Sequence, residues 1–353
     1  MIEEITWPAV LTALVADRDL SVAEAEWAMT EIMTGRASDG QLGAFLLTLQ
    51  KKGVTVDEVV GFRDAILAEA QELPLPAQSL DIVGTGGDRY GTVNISSMAS
   101  IVVAAAGIPV VKHGNRAASS KSGSSDVLAA LGVNLELEPE ALRAVFDEAG
   151  IAFVYAARFL PGFRFVAPVR KELGVQTVFN FLGPLCNPVR PEATAAGVAD
   201  ASRAPLFADL FRFRGASALV FRGDDGLDEL TTTGHSHIWE VSRGALTEHD
   251  LDPRELGIPR ARIEDLLGGD PAHNAAVVRR VMAGERGPVR DIVLLNAAAG
   301  IVAYELVTHP EGMDRPILER LYDAMRRAED AVDSGQAAAR LETWASATQR
   351  AGS

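Results

Sequence analysis

The fold is decided by residues 80–114, which are LDIVGTGGDRYGTVNISSMASIVVAAAGIPVVKHG. An apolar run at 80–83 ends in a glycine-rich turn, 94–107 has the composition of a capped, buried helix, and 108–114 returns to a strand pattern. Further helix and strand patterns follow at 124–132, 140–148, 151–155, 203–214 and 217–222. Alternation at this interval predicts a largely parallel α/β sheet.

The residues on either side of this region are mostly helical in pattern. Apolar positions in the first seventy residues recur at three- and four-residue spacing, with N-cap candidates at Ser21 and Ser38. Pro74 and Pro76 then mark a linker. The C-terminal third has helical patterns at 271–283, 288–303, 314–333 and 336–349. We therefore expect a small helical domain over 1–72 and a larger α/β domain over 78–353, with a mainly parallel central sheet.

Composition excludes several classes of protein. The chain has 353 residues, of which 48% are hydrophobic, and its net charge is −15. This content is too apolar for a disordered chain, and the acidic balance argues against a protein that coats nucleic acid or anionic lipid. One cysteine excludes a disulfide scaffold. The acidic N-terminus has no signal-peptide pattern, and apolar runs such as 101–111 are too short to span a bilayer, so we expect a cytoplasmic protein.

The charge is unevenly distributed along the chain. Residues 89–125 contain no acid and four cations, and residues 149–171 repeat this pattern with another four. An acidic protein that lacks acids in two stretches is typical of one that builds a pocket for anions. Chance clustering of surface arginines is the alternative.

The first candidate motif is DIVGTGGDRYGTVNISS, residues 81–97. Within it a glycine turn, residues 84–94, follows the first strand of the α/β region. Gly84, Gly86 and Gly87 let the backbone approach an anion, and a helix N-terminus follows. In parallel α/β sheets ligands bind at the carboxyl ends of strands, where this turn would lie. The spacing matches neither a Rossmann dinucleotide motif nor a P-loop. A tight connection without function remains the alternative.

The second candidate motif is VKHGNRAASSKSGSSDVLAALG, residues 111–132, which joins the end of the second strand to the next helix. We call its basic part, residues 112–125, the basic loop. It combines cations with hydroxyl and amide groups, namely Lys112, His113, Asn115, Arg116, Ser119, Ser120, Lys121, Ser122, Ser124 and Ser125. A diphosphate requires such a density of donors and positive charge, because each of its oxygens accepts several hydrogen bonds. A solvated basic surface loop is the alternative.

An acidic loop, residues 223–234, carries Asp224, Asp225, Asp228 and Glu229 among glycines and threonines. Adjacent carboxylates can hold Mg²⁺ beside a substrate phosphate, with several waters retained. Alone, this pattern favours an acidic surface turn. Beside two loops suited to phosphate, it favours a metal site.

The motifs GTGGD, TVNIS, KHGNRAASSKSGSSDVLAALG, VFNFLGPLCNP and DGLDE, in this order, resemble the anthranilate phosphoribosyltransferase family. The resemblance covers nearly the whole chain. It implies transfer of a phosphoribosyl group from phosphoribosyl pyrophosphate (PRPP) to anthranilate, with release of pyrophosphate, in tryptophan biosynthesis. It also implies a homodimer, Mg²⁺ as cofactor, an active site in the cleft between the two domains, and a contribution of 165–190 to the small domain.

The resemblance also implies a role for particular residues. PRPP would be bound by Gly84, Gly87, Asp88, Thr92, Asn94, Ile95, Ser96, Ser97, Lys112, His113, Gly114, Asn115, Arg116, Ala117, Ala118, Ser119, Ser120 and Ser124. Anthranilate would contact Gly84, Asn115 and Arg170, with Arg170 facing its carboxylate. Mg²⁺ would be held by Ser96, Asp228 and Glu229.

The chemistry of the transfer suggests which residues are catalytic. Negative charge develops on the departing pyrophosphate, and Lys112 or Arg116 would stabilise it. The aniline nitrogen of anthranilate is unprotonated at neutral pH, so positioning would supply much of the rate without a strong base. His113 would orient the ring or take the proton afterwards, although a structural histidine fits the sequence equally well.

One departure from the family pattern concerns the acceptor. In YAARFLPGFR, residues 155–164, the family normally has a histidine where Leu160 stands and a proline where Ala157 stands. Loss of a polar partner weakens discrimination for a substrate. A different aromatic amine or a benzoate is therefore the alternative acceptor, against the simpler interpretation that Leu160 is tolerated.

Two more distant functions are less well supported. A pyrimidine nucleoside phosphorylase shares the fold and a similar basic loop, but it would not need DGLDE beside GTGGD. A non-catalytic relative that binds nucleic acid is disfavoured by the net charge of −15. Cys186 is expected to be a small buried residue, and His235 and His237 are expected on one exposed strand face rather than on a metal.

Overall fold

The chain forms two structural units, one helical and one α/β, in a computed structural model that describes residues 4–116 and 121–352. The helical unit contains Met1–Glu72 and Ala156–Pro188, and the α/β unit contains Leu73–Tyr155 and Val189–Ser353. The predicted architecture of a small helical part and a larger α/β part is confirmed. Ala117, Ala118, Ser119 and Ser120 of the predicted PRPP site lie outside the described residues.

Helices and strands alternate through the α/β unit as the pattern predicts. The α-helices found in the described ranges are α1 (Trp7–Val15), α2 (Val22–Met33), α3 (Asp39–Lys52), α4 (Val56–Ala68), α5 (Ile95–Ala105), α6 (Ser124–Ala130), α7 (Pro139–Ala149), α8 (Ala156–Phe159), α9 (Phe163–Leu173), α10 (Ala204–Arg214), α11 (Pro271–Met282), α12 (Pro288–Thr308), α13 (Ile317–Asp333) and α14 (Gln336–Ala351). The strands are β1 (Leu80–Gly84), β2 (Val110–Gly114), β3 (Ile151–Tyr155), β4 (Ala193–Gly197), β5 (Ser217–Gly223), β6 (Ser236–Ser242) and β7 (Ala245–Leu251).

Capping residues determine where the helices of the helical unit begin. Ser21 and Ser38, the predicted N-caps, each accept a hydrogen bond from a main-chain N–H three residues later and complete a capping box. Inside the unit, the rings of Trp7 and Phe45 meet edge to face at 6.0 Å, and those of Phe45 and Phe62 at 5.7 Å. These contacts join α1, α3 and α4 in one core.

One sheet organises the α/β unit and has the order β3-β2-β1-β4-β5-β6-β7. Neighbours from β3 to β5 are parallel, whereas β5-β6 and β6-β7 are antiparallel. The carboxyl ends of β1, β2, β4 and β5 therefore lie along the same edge. In such a sheet, this edge is where ligands bind.

Helix α12 is a core helix of the α/β unit. It packs against α5, β4 and β5, and it extends to Thr308, beyond the predicted end at 303. By length and composition its 21 residues could cross a membrane, but 72% of the apolar window is buried inside the protein. Its burial explains the apolar composition without a membrane.

The two histidines after the acidic loop are paired with carboxylates of β7. His235 Nδ1 lies 2.8 Å from an oxygen of Asp250, and His237 Nε2 lies 2.8 Å from an oxygen of Glu248. His237 is in β6, as predicted, while His235 precedes the strand. Within 4–116 and 121–352, no group of three or more His, Cys, Asp or Glu side chains is arranged to hold a metal ion.

Cys186 is fully buried in the helical unit, which confirms its prediction as a small buried residue. Burial raises the pKa of its thiol to about 12. The thiolate that a nucleophile requires is therefore strongly disfavoured at neutral pH.

Candidate active site

The carboxyl edge of the sheet brings the acidic loop against the glycine turn. β1 ends at Gly84 and its neighbour β4 ends at Gly197, which pair in register. A β-carbon at Gly84 would overlap the Asp228 carboxylate, and one at Gly197 would overlap the main chain of Asp228. Only glycine permits this approach at both positions. Gly197 belongs to no predicted motif, although a glycine that ends the buried run ATAAG could have identified it.

The Asp228 carboxylate is tied to the glycine turn by a hydrogen bond. The main-chain N–H of Gly86 donates to Asp228 Oδ2 at 2.7 Å, and Asp228 is buried. Two residues far apart in sequence, at the ends of β1 and β5, are thus joined at one point. The acidic loop and the glycine turn therefore form one site.

The side chain of Asn296, in helix α12, holds the acidic loop in place through hydrogen bonds. Its side chain accepts from the Leu230 N–H at 2.9 Å and donates to the Leu230 and Ile292 carbonyls, both at 2.9 Å. Asn296 is fully buried, so these bonds are shielded from water. The sequence gives no sign of this role, because only the fold brings α12 beneath the loop.

The four carboxylates of the acidic loop have different surroundings. Asp225 accepts from the Leu227 N–H at 3.0 Å and from the Thr231 hydroxyl at 2.6 Å, so it shapes the loop itself. Asp224 is exposed. Asp228 and Glu229, the two predicted metal ligands of this loop, lie beside other carboxylates that raise their pKa values.

Asp228 and Glu229 form a cluster of carboxyl groups with Asp88, and the pKa of each is raised. Burial, together with the nearby charge of Asp88, raises the pKa of Asp228 to about 7. Burial and the charge of Asp228 raise the pKa of Glu229 well above its usual range, while Lys112 and the Ser96 N–H oppose that rise. Burial also raises the pKa of Asp88. Full ionisation of the cluster is therefore disfavoured in the protein alone.

Lys112 is a buried cation at the base of this cluster. Its Nζ donates to the Ile82 carbonyl at 2.5 Å and to Ser96 Oγ at 3.2 Å. Burial lowers its pKa, and the carboxylates of Asp81 and Glu229 oppose this. Lys112 lies in β2, within the strand pattern predicted at 108–114, but its side chain is buried instead of lying open in the basic loop. Its direct side-chain contact within the predicted site is with Ser96.

Asp81 begins the motif of residues 81–97, although the sequence pattern assigns it no binding role. It is fully buried in β1 and accepts a hydrogen bond from the His113 N–H at 3.1 Å. A buried carboxylate needs a partner charge, and Lys112 provides one. The sequence contains one sign of this arrangement, which is an acidic residue within the otherwise apolar strand LDIVG. The His113 side chain is itself buried, consistent with a structural role.

The start of α5 differs from the predicted capped helix. Asn94 occupies the N-cap position, but its side chain makes no capping hydrogen bond. Its amide contacts Ser122 and Asn274 instead. Of the predicted PRPP residues here, Ile95 and Ser97 are buried, whereas Thr92, Asn94 and Ser96 retain access to solvent.

The described part of the basic loop closes on Asn115. Its carbonyl accepts from the Ser124 hydroxyl at 3.2 Å and from the Ser125 N–H at 3.4 Å. Arg116 Nε donates to the Tyr155 hydroxyl at 3.0 Å. The fold thus brings Asn115 and Ser124 together, and it holds Arg116 against the end of β3.

Arg170, the predicted partner of the anthranilate carboxylate, is in helix α9 of the helical unit. It is half-buried; its guanidinium donates to Asn180 Oδ1 at 3.3 Å and lies 5.8 Å from the Phe179 ring centre. Burial lowers its pKa. Arginine remains charged even when it is partly buried. Two of its N–H groups can therefore bind both oxygens of one carboxylate. Leu160, in the same unit, is only 2% exposed.

The residues at the carboxyl edge fit a magnesium ion. Mg²⁺ is usually held by one or two carboxylates, with substrate phosphates and waters completing the shell. Asp228 and Glu229 supply two carboxylates whose ionisation a cation would favour, and Ser96 lies beside them, since its N–H bonds to Glu229. A complete protein cage is not required for this mode of binding.

Comparison with known proteins identifies the family. The helical bundle domain model of the glycosyl transferase family matches residues 8–70, and its a/b domain model matches residues 76–338. A protein named anthranilate phosphoribosyltransferase from Leifsonia xyli subsp. xyli is 63% identical over 99% of this chain and 100% of its own. The chain belongs to the anthranilate phosphoribosyltransferase family. The predicted resemblance is thereby confirmed.

Solved structures of the family agree with this fold. Anthranilate phosphoribosyltransferase from Thermus thermophilus has a TM-score of 0.87 at 38% identity, covering 96% of this chain and 99% of its own. The enzyme from Saccharomyces cerevisiae in complex with PRPP and Mg also has a TM-score of 0.87, at 25% identity, with 99% of both chains covered.

The approach of the acidic loop predicts the effect of a single methyl group. Gly197→Ala would push its β-carbon into the Asp228 main chain, and we expect a loss of about 2 kcal/mol in the free energy of unfolding. Thermal or urea unfolding measures it. Gly43→Ala in α3 is the control, because a β-carbon there meets nothing within 4 Å. Equal stability of Gly197→Ala and the wild type would contradict this account.

The carboxylate cluster predicts a pH-dependent cost in stability. The pKa of Asp228 is raised to about 7, so its ionisation destabilises the fold as pH rises from about 4 through about 7. In buffer with EDTA, Asp228→Asn should be more stable than the wild type at pH 8, by on the order of 2 kcal/mol. At pH 5 the difference should shrink.

The exposed Asp224→Asn serves as the matched control for this experiment. It should leave the pH dependence of unfolding unchanged. A stability gain for Asp228→Asn of the same size at both pH values would refute the ionisation argument.

Proposed function

We propose that this chain transfers the 5-phosphoribosyl group of PRPP to the amine of anthranilate and releases pyrophosphate. The observation that carries this proposal is the Gly86–Asp228 hydrogen bond, since it joins an anion-binding turn to a pair of carboxylates at the sheet edge. The relatives that share 63% and 62% identity are named for this activity. The yeast relative with PRPP and Mg bound supports the same donor.

In this proposal, the chain's residues bind and orient two anionic substrates. The glycine turn presents main-chain N–H groups to the diphosphate, and Lys112 and Arg116 add positive charge beside it. Mg²⁺, when bound at Asp228, Glu229 and Ser96, supplies further charge neutralisation. Dependence of this chain on Mg²⁺ belongs to the proposal.

The transfer exchanges one bond at the anomeric carbon of the ribose for another. The bond from C1 to the diphosphate oxygen breaks, and a bond from C1 to the anthranilate nitrogen forms. The nitrogen then loses a proton to water or to a nearby group. Because the amine is already neutral, alignment of the two substrates is the main task of the protein.

Arg170 is proposed to hold the anthranilate carboxylate, with Gly84 and Asn115 as further contacts. Leu160 motivated a different aromatic amine or benzoate as acceptor. Leu160 is buried, and relatives of high identity are named for anthranilate, so that alternative is not favoured. A nucleoside phosphorylase is not favoured either.

A cytoplasmic homodimer completes the proposal. The homodimer is supported by family membership alone. The location is supported by the single cysteine and by the biosynthetic role that we propose.

Turnover in the presence of Mg²⁺ tests the function directly. The wild-type chain should consume anthranilate and PRPP together. The loss of anthranilate fluorescence measures this consumption. The double variant Asp228→Asn/Glu229→Gln should lose on the order of a hundredfold or more in kcat/KM, because the metal contacts are removed. Asp224→Asn is the control and should retain full activity.

Two results would count against this proposal. A wild-type chain that fails to consume anthranilate with PRPP would overturn the activity itself. A double variant with near-normal turnover would remove the acidic loop from the mechanism.

Arg170 predicts a selective effect on the acceptor. Arg170→Gln should raise KM for anthranilate by about tenfold or more, because a charge-assisted pair contributes ~1.5–3 kcal/mol. KM for PRPP should change little. Lys171→Gln, the exposed neighbour, is the control. An equal rise in both Michaelis constants would show that Arg170 has a general structural role.

A further inference from the structure

The second half of the glycine turn is supported from outside the sheet. The Val93 N–H donates to the Leu266 carbonyl at 2.9 Å, and the Gly268 N–H donates to the Gly91 carbonyl at 2.9 Å. Thr92 and Leu267 form an antiparallel bridge between these two bonds. The turn therefore depends on a segment that is more than 170 residues away in sequence.

Two asparagine side chains continue this support into the basic loop. The Gly269 N–H donates to Asn274 Oδ1 at 2.7 Å, Asn274 Nδ2 donates to Asn94 Oδ1 at 2.9 Å, and Asn94 Nδ2 donates to the Ser122 carbonyl at 3.1 Å. We call these three bonds the amide relay. It connects the start of α11, the end of the glycine turn and the basic loop.

The direction of the amide relay is determined by its ends. It begins at a main-chain N–H, which can only donate, and ends at a main-chain carbonyl, which can only accept. Each asparagine therefore turns its side-chain oxygen toward the Gly269 end of the relay and its side-chain nitrogen toward the Ser122 end. Asn274 is 2% exposed, so water replaces its contacts poorly.

We propose that Asn274 is a positioning residue of the phosphoribosyl site, which acts through the amide of Asn94 to hold the basic loop at Ser122 against the glycine turn. This rests on the proposed function, because those two loops are the proposed PRPP site. Asn274 touches neither substrate in this account. Its role is to set the separation of two loops that must grip one diphosphate.

An amide suits this task better than a charged side chain. It supplies one donor and one acceptor, so both of its ends are satisfied within the relay. A carboxylate at either position would face another oxygen, and it would add negative charge beside a polyanionic substrate. Neutrality and direction together explain the choice of asparagine at 94 and 274.

The test compares substitutions at both ends of the Asn94–Asn274 contact in the full-length protein. Asn274→Ala removes the contact, while Asn274→Asp keeps the size of the side chain and its bond to Gly269 but turns an oxygen toward Asn94. We expect KM for PRPP to rise about fivefold for Asn274→Ala, the equivalent of ~1 kcal/mol for one lost hydrogen bond, and further for Asn274→Asp. KM for anthranilate and kcat should stay within about twofold.

A double-mutant cycle separates positioning from general damage. If Asn274 acts through Asn94, the pair Asn94→Ala/Asn274→Ala should raise KM for PRPP no more than Asn94→Ala alone. Asn134→Ala is the control, since that side chain accepts locally from the Glu136 N–H at 3.0 Å. Hydrogen exchange of Lys121–Asp126 without substrate should quicken in Asn274→Ala and not in Asn134→Ala.

Several outcomes would overturn the inference. These are an unchanged KM for PRPP in both Asn274 variants, additive effects in the double variant, or equal changes in kcat and in both Michaelis constants. If Asn274→Ala does not fold, Asn274→Asp tests the same contact. A wild-type chain without PRPP-dependent turnover would instead overturn the proposed function, so the two failures are distinguishable.

Discussion

The hydrogen bond from the Gly86 N–H to the Asp228 carboxylate is the contact on which the site depends. It forms only because Gly84 and Gly197, at the ends of two neighbouring parallel strands, leave room for the acidic loop. Asn296 of the buried helix α12 then holds that loop at Leu230. A long-range contact of this kind joins residues 142 positions apart, so the site is assembled by the sheet and not by local sequence.

The electrostatics of the site follow from this contact. Three carboxylates are brought together at this edge, and burial, together with neighbouring negative charge, raises their pKa values. Lys112 lies below them with Asp81 as its own counter-charge. This arrangement is costly for the protein alone, and a cation together with a diphosphate would relieve it. The buried carboxylates therefore lower the free energy of unfolding at the place where the proposed function needs their charge.

The same edge explains the uneven charge of the chain. The acid-free stretch 89–125 includes part of the glycine turn and the whole basic loop, where added acids would repel an anionic substrate. The second acid-free stretch contains Arg170, which lies in the helical unit. The net charge of −15 thus describes the molecule as a whole, while the local charge at each proposed binding position is positive or available for a cation.

The sequence by itself determined the helical and α/β parts, the parallel sheet, the N-caps at Ser21 and Ser38 and the three loops, because these depend on spacing and on local propensity. It did not reveal that Lys112 is buried, that Asn94 contacts Asn274 instead of capping α5, or that Asn296 and Gly197 shape the acidic loop. Those features are contacts between segments far apart in the chain. Their geometry exists only once the strands are ordered, so the tertiary structure alone decides them.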